Sequence, residues 1–114
     1  MAAGEVDVRQ GTLDMLVLKA LTWGPMHGYS ILGWLRETTD GEVRIEDAAL
    51  YPALHRMEAR GLIEAEWGLS ENNRRAKFYR LTARGRRELR VEAESWSRYV
   101  AVIGKVLTAV EQAG

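Results

Sequence analysis

The chain has 114 residues, enough for one domain, and its 46% hydrophobic and 28% charged residues are those of an ordinary globular protein. It has no cysteine, which excludes a disulfide framework and thiolate metal sites. No apolar run approaches the ~20 residues that span a membrane. The formal net charge is zero, which taken alone argues against a polyanionic partner.

Residues 1–10 are polar and lack apolar periodicity, so they read as a mobile N-terminal arm. They carry no charged-then-apolar leader pattern, and a cytoplasmic protein is expected. Thr12 reads as the N-cap of a first helix, in which Leu13, Leu16, Val17, Ala20 and Leu21 follow helical spacing. Trp23-Gly24-Pro25 stops it. A second helix begins near His27 or Gly28, turns Gly28, Ile31, Leu32 and Leu35 inward, and ends around Thr39-Asp40-Gly41.

Val43-Arg44-Ile45 is a short extended link. The carboxylates of Glu46 and Asp47 then offer N-caps for a third helix, whose core face is Leu50, Leu54 and Met57. Pro52 is tolerated only in or near the first turn, which places the start at Asp47 or Ala48. Gly61 closes this helix after Arg60.

Ile63, Ala65, Trp67 and Leu69 alternate with Glu64, Glu66 and Gly68, the period of a half-buried strand. Ser70 to Arg75 is polar, and Asn72-Asn73 tolerates a left-handed turn. Lys77 to Leu81 alternates again. Thr82 caps a last helix expected to run to about Gln112. The fold expected is mainly α with a two-stranded wing: a winged helix-turn-helix over 11–81, after the arm of 1–10 and before a long helical segment over 82–114.

Charge is distributed unevenly. From Arg74 to Arg90 there are eight Lys and Arg, half of those in the chain, against the single acid Glu88. Local charge decides where phosphates bind. The third helix has the form of a recognition helix, which enters the major groove by its N-terminal end. Its outer side carries Ala48, Tyr51, Pro52, His55 and Arg56. The small residues let backbone approach DNA. Tyr51 and His55 lie one turn apart and reach a phosphate or base edge, and Arg56 at the edge of the face suits either. The alternatives are a half-buried core ring for Tyr51 and a plain surface histidine for His55. Arg74, Arg75 and Lys77 at the wing suit the DNA backbone or minor groove, the alternative being a solubilising loop.

A last helix of about 30 residues is ~45 Å long, whereas a compact domain of this size is only ~35 Å across. It must overhang. Leu89, Ala93, Trp96, Val100, Ile103, Leu107 and Val110 recur every four and three residues, an a/d seam that needs a partner helix. Tyr99, Val102 and Val106 widen it. A homodimer is expected, with some packing of this helix on the first. Trp96 sits beside small Ala93 in the seam. Either it fills the interface, or it leaves room for a small flat aromatic effector held by Trp96, Tyr99 and Val100.

Three segments resemble the PadR family of transcriptional regulators. They are Gly24-Pro25-Met26-His27-Gly28-Tyr29, Leu50 to Glu58 (LYPALHRME) followed by Gly61-Leu62-Ile63, and Arg74 to Thr82 (RRAKFYRLT) continuing to Gly85. The resemblance covers roughly residues 11–90. It implies a regulator, usually a repressor, that binds double-stranded DNA at a palindromic operator as a dimer. Carried over by position, it places Tyr29, Tyr51, His55 and the wing cations at or near DNA. Ala48-Ala49 departs from the family, which often has a small hydroxyl residue or glycine there. That bears on operator preference and leaves the fold untouched. Glu94-Ser95-Trp96-Ser97-Arg98 is similar to a stretch in drug-sensing PadR-like regulators, which implies an effector pocket around Trp96.

An enzyme is not expected. No phosphate loop or metal-ligand spacing occurs, and the two histidines, His27 and His55, read as belonging to helix starts rather than to a cleft with a nucleophile. No cofactor is expected. The alternative function is a winged-helix protein-interaction adaptor, which the acids Glu37, Asp40, Glu42, Glu46 and Asp47 near the third helix would serve.

Overall fold

The computed structural model describes residues 6–110. The elements are β1 (Val6–Asp7), α1 (Gln10–Ala20), a 3-10 turn (Leu21–Trp23), α2 (Gly28–Thr38), β2 (Val43–Arg44), α3 (Asp47–Ala59), β3 (Ile63–Leu69), β4 (Arg75–Leu81) and α4 (Ala83–Leu107). Three short helices, a two-stranded antiparallel wing and a long helix make the expected winged helix-turn-helix.

The start of the chain corrects two expectations. β1 pairs in parallel with β2, and the Val6 amide donates to the Glu42 carbonyl at 2.7 Å. The free arm over 1–10 therefore does not hold from Val6 onward, and residues 1–5 lie outside the described residues. Because the pairing leads the chain straight into α1, the helix begins at Gln10. Its N-cap is Arg9, which makes no side-chain cap, so Thr12 lies inside the helix and caps nothing.

The core joins all three helices to the base of the wing. Leu13, Val17 and Leu18 of α1, Ile31 and Leu35 of α2, Leu50, Ala53, Leu54 and Met57 of α3, with Leu62, Ile63 and Tyr79, are buried. The periodic residues of α3 are there as expected, joined by Ala53. Leu16 and Leu32 are only half-buried.

His27 caps α2 with its ring, Nδ1 accepting from the Ser30 amide at 3.2 Å. Asp40 and Gly41 both take left-handed backbone at its end, with φ of 52° and 80°. Gly61, at φ 75°, closes α3 in the same way. Glu46 is the N-cap residue of α3 but makes no cap hydrogen bond. Its carboxylate instead meets the Arg44 guanidinium at 3.3 Å, so the expected carboxylate cap is not formed. α3 starts at Asp47, as the position of Pro52 implied, and Pro52 stands just past its first turn. Its missing N–H would have gone to the carbonyl of Ala48, an exposed residue.

β3 and β4 pair from Ile63↔Leu81 to Leu69↔Arg75. Asn73 takes the left-handed turn at φ 61°. Two expectations for β3 fail: Trp67 is 57% and Leu69 66% exposed. The strands run outward beyond the helices, so the period of two persists where no core remains to bury its apolar side.

Thr82 caps α4, its Oγ1 accepting from the Gly85 amide at 3.0 Å and donating to the Gly61 carbonyl at 2.7 Å. Gly85 is the one buried residue of α4. A Cβ there would overlap the Leu62 carbonyl oxygen, so the helix crosses the chain at a point only glycine allows. α4 ends at Leu107 and not near Gln112, which itself lies outside the described residues. Thr108 closes it, its hydroxyl donating to the Gly104 carbonyl at 2.7 Å. Val110 therefore falls beyond the helical seam, and Leu89 at the other end packs on the domain's own core. The 67 × 34 × 22 Å extents express the overhang of α4.

Candidate nucleic-acid interface

The wing is fixed to the start of α2 in two ways. Met26 and Tyr79 exchange both backbone hydrogen bonds, at 3.0 and 2.8 Å. The rings of His27 and Phe78 meet edge to face with centroids 5.3 Å apart. These ties set β4 beside α2 and α3 and leave a groove of about 760 Å³ between wing and helices.

The groove brings together Tyr29, Tyr51, Arg74, Arg75 and Lys77, five residues read from separate parts of the sequence. Tyr29 is 78% exposed. Tyr51 is partly exposed, and its phenol passes so close to α2 that a Cβ on Gly28 would lie 2.6 Å from its Oη. Gly28 thus gives Tyr51 its place. Tyr79 forms the buried floor. Burial, with Glu58 and Tyr51 nearby, raises its phenol above the ordinary value of 10.0, which keeps it neutral.

The cations of the wing differ in how they are held. Lys77 lies 3.6 Å from the Glu58 carboxylate and 5.8 Å from the Tyr79 ring centroid. It is a tethered charge against α3 rather than a cation at the tip. Arg80 is paired with Glu64 at 3.0 Å. Arg74 and Arg75 have no carboxylate partner among the described residues, and both are exposed.

Other residues of the outer α3 face are not in the groove. Ala48, Ala49, Pro52 and His55 are exposed along the helix, with His55 in its second half rather than near its start. Arg56 turns away toward α1, where its guanidinium donates to Asp14 Oδ1 at 3.2 Å. Burial raises the Asp14 carboxyl above its ordinary value of 3.8 despite the opposing pull of Arg56 and Arg60.

Sequence reasoning missed Trp67. Its alternation with Ala65 and Leu69 signalled an inward ring, yet it lines the groove with the Arg75 guanidinium 4.6 Å from its ring centroid. The diagonal Trp–Arg pair was the available signal.

A second concavity lies at the other end of the domain. Trp96 and Tyr99 stack with centroids 5.9 Å apart at 28°. With Val6, Val8, Arg9 and Met15 they line a groove of about 670 Å³ between α4 and the start of the chain. Val100 is not part of its lining. Ala93, Trp96, Val100, Ile103 and Leu107 are all exposed along α4. No helix of the described residues is long and apolar enough to cross a membrane.

The model of the transcriptional regulator PadR-like family matches residues 17–91. The chain belongs to this family. PadR-like proteins are DNA-binding regulators of transcription and not enzymes, and that is the class of this protein. Solved structures agree with the PadR fold. A transcriptional regulator from Clostridium thermocellum is 32% identical with a TM-score of 0.77, over 84% of this chain and 93% of that one. A PadR family transcriptional regulator from Eggerthella lenta DSM 2243 is 36% identical with a TM-score of 0.69, over 86% of this chain and 80% of its own. In sequence, the uncharacterized protein X of Lysinibacillus sphaericus is 27% identical over 92% of this chain and 96% of its own length.

Proposed function

We propose that this PadR-like regulator is a repressor that acts as a homodimer on a palindromic operator. The observation that carries the reading is the groove that Tyr29 and Tyr51 share with Arg74 and Arg75, two exposed cations without carboxylate partners among the described residues. In this reading α3 enters the major groove, with Ala48, Ala49 and Pro52 allowing close approach and Tyr51 and His55 touching phosphate or base edges. Tyr29, Arg74 and Arg75 hold the flanking backbone, while Lys77 and Arg56 contribute charge from the positions where Glu58 and Asp14 anchor them.

Residues 11–81 form the DNA-binding unit and 82–114 the dimerisation segment, in a protein that works in the cytoplasm. The exposed α4 seam of Ala93, Trp96, Val100, Ile103 and Leu107 supports pairing with a second copy. Leu89 and Val110, at its two ends, contribute less, one being turned inward and the other beyond the helix. A small aromatic effector binds near Trp96, Tyr99 and Val100, of which the first two line the groove on α4. It acts by preferring one spacing of the two α3 helices.

The test is fluorescence anisotropy on duplexes selected from a random pool. Salt-sensitive, sequence-preferring binding with two half-sites is expected. Binding that ignores sequence, or a single half-site, overturns the reading. Loss of a bound protein but not of DNA in a variant with Arg74→Ala and Arg75→Ala would favour the adaptor instead. Flat aromatic compounds that quench the intact protein and a Trp96→Ala variant equally would remove Trp96 from the effector site.

A further inference from the structure

We infer that Trp67 is a positioning residue for DNA binding, acting through Arg75. The inference rests on the proposed DNA role of the wing. An indole that is 57% exposed adds little to a core, and β3 has already left the core at this point. Its specific contact is with Arg75, whose guanidinium carbon lies 4.6 Å from the ring centroid. The register explains the meeting. Trp67 opposes Lys77 and Arg75 opposes Leu69, so indole and guanidinium are diagonal neighbours on one face of the hairpin, within reach of long side chains.

The stack has a physical consequence for recognition. A lone arginine on a projecting hairpin samples many rotamers and must lose them on binding. The planar guanidinium laid on an indole is already restricted, yet its N–H edge stays available for a phosphate oxygen. The attraction strengthens as DNA covers the pair and excludes water. Trp67 and Arg75 both line the groove that holds Tyr29 and Tyr51, so the ordered cation sits beside the tyrosines. Arg74, at the neighbouring position, has no ring beneath it among the described residues.

The experiment is a double-mutant cycle in the full-length protein, measured by anisotropy on a duplex selected from a random pool. Arg75→Ala is expected to weaken binding about tenfold and to lower the salt slope by about one. Trp67→Ala is expected to weaken it about fivefold with an unchanged melting temperature, and to cost nothing further in the Arg75→Ala background. Trp67→Phe, which keeps a π face, should retain most of the affinity, whereas Trp67→Leu should behave as the alanine variant. A Trp67→Ala loss of equal size with and without Arg75, or a Leu variant as good as Phe, overturns the positioning role. If Arg75→Ala itself leaves affinity and salt slope unchanged, the wing's DNA role fails first. If Arg75→Ala weakens binding and Trp67→Ala does not, only the positioning role fails.

Discussion

The winged-helix body, residues 6–82, and α4 treat their apolar side chains in opposite ways. Among the described residues, all fourteen buried apolar side chains lie from Leu13 to Tyr79. α4 adds only Gly85 and the half-buried Leu89, while Trp96, Tyr99, Val100, Val102, Ile103, Val106 and Leu107 stay 39–78% exposed. Both regions carry clear helical periodicity. The difference is what each helix faces. α1 packs against α2, α3 and α4 alike, as expected for the last helix, but beyond that contact α4 carries an apolar stripe that stays exposed. Periodicity alone thus says that a face will be buried, and not by which molecule.

The largest effect should separate the regions most cleanly. Leu54 of α3 is fully buried in the core. Leu54→Ala should cost about 3–4 kcal/mol in urea denaturation, through lost transfer energy and the cavity left behind. That cost should be the same at every protein concentration. A cost that varies with concentration would mean that the body is not self-contained, and the contrast with α4 would fail.

The second test acts on the open side. Val100→Glu with Ile103→Glu places two carboxylates in the proposed seam. Sedimentation should show the dimer weakened by about a hundredfold or more, ~3 kcal/mol, because charge would be buried without a partner. Near-ultraviolet circular dichroism of the body should not change. A variant that remains fully dimeric would place the interface elsewhere.

Thr82 stands at the boundary between the regions. Thr82→Ala removes the cap on Gly85 and the hydrogen bond to the Gly61 carbonyl. A loss of about 1–2 kcal/mol is expected by thermal unfolding, with Thr82→Ser restoring most of it. A loss below a few tenths would mean that overlap at Gly85, and not the cap, fixes how α4 leaves the body.

Much of this arrangement was legible in the residues. The α3 stripe of Leu50, Leu54 and Met57, the left-handed closures at Gly41 and Gly61, the turn at Asn73 and the cap at Thr82 are local signals read within one turn. What escaped was non-local. β1 and β2 pair through two residues each across two intervening helices, strands too short to show a period. Arg56 meets Asp14 from 42 positions away. Trp67 and Leu69 keep strand alternation after the core has ended, so alternation misplaced them. At the candidate site, the groove joining Tyr29 and Tyr51 to the wing cations depends on the Met26–Tyr79 bridge, which no pattern announced. The tethers on Lys77 and Arg56 were equally hidden, since charge at a position does not reveal its partner.

The smallest expected effect tests how tightly the closed region is packed. Asp14 of α1 meets Arg56 of α3, and burial outweighs the attraction of Arg56 and Arg60, so its carboxyl is raised above 3.8 in the folded protein. A raised carboxyl means that the folded state takes up the proton before the unfolded chain does. Above the folded value the ionised group detracts from stability, and the penalty disappears as the pH falls through that value toward 3.8. Asp14→Asn keeps an oxygen for Arg56 without the charge. At neutral pH it should match the parent or exceed it by less than about 1 kcal/mol, and the difference should shrink as the solution is acidified below the folded value. Urea denaturation of both proteins across this range checks the sign. An Asn variant that is less stable at neutral pH, with a deficit that closes on acidification, would mean that the Arg56 pairing prevails over burial and that the contact between α1 and α3 is wetter than the rest of the body.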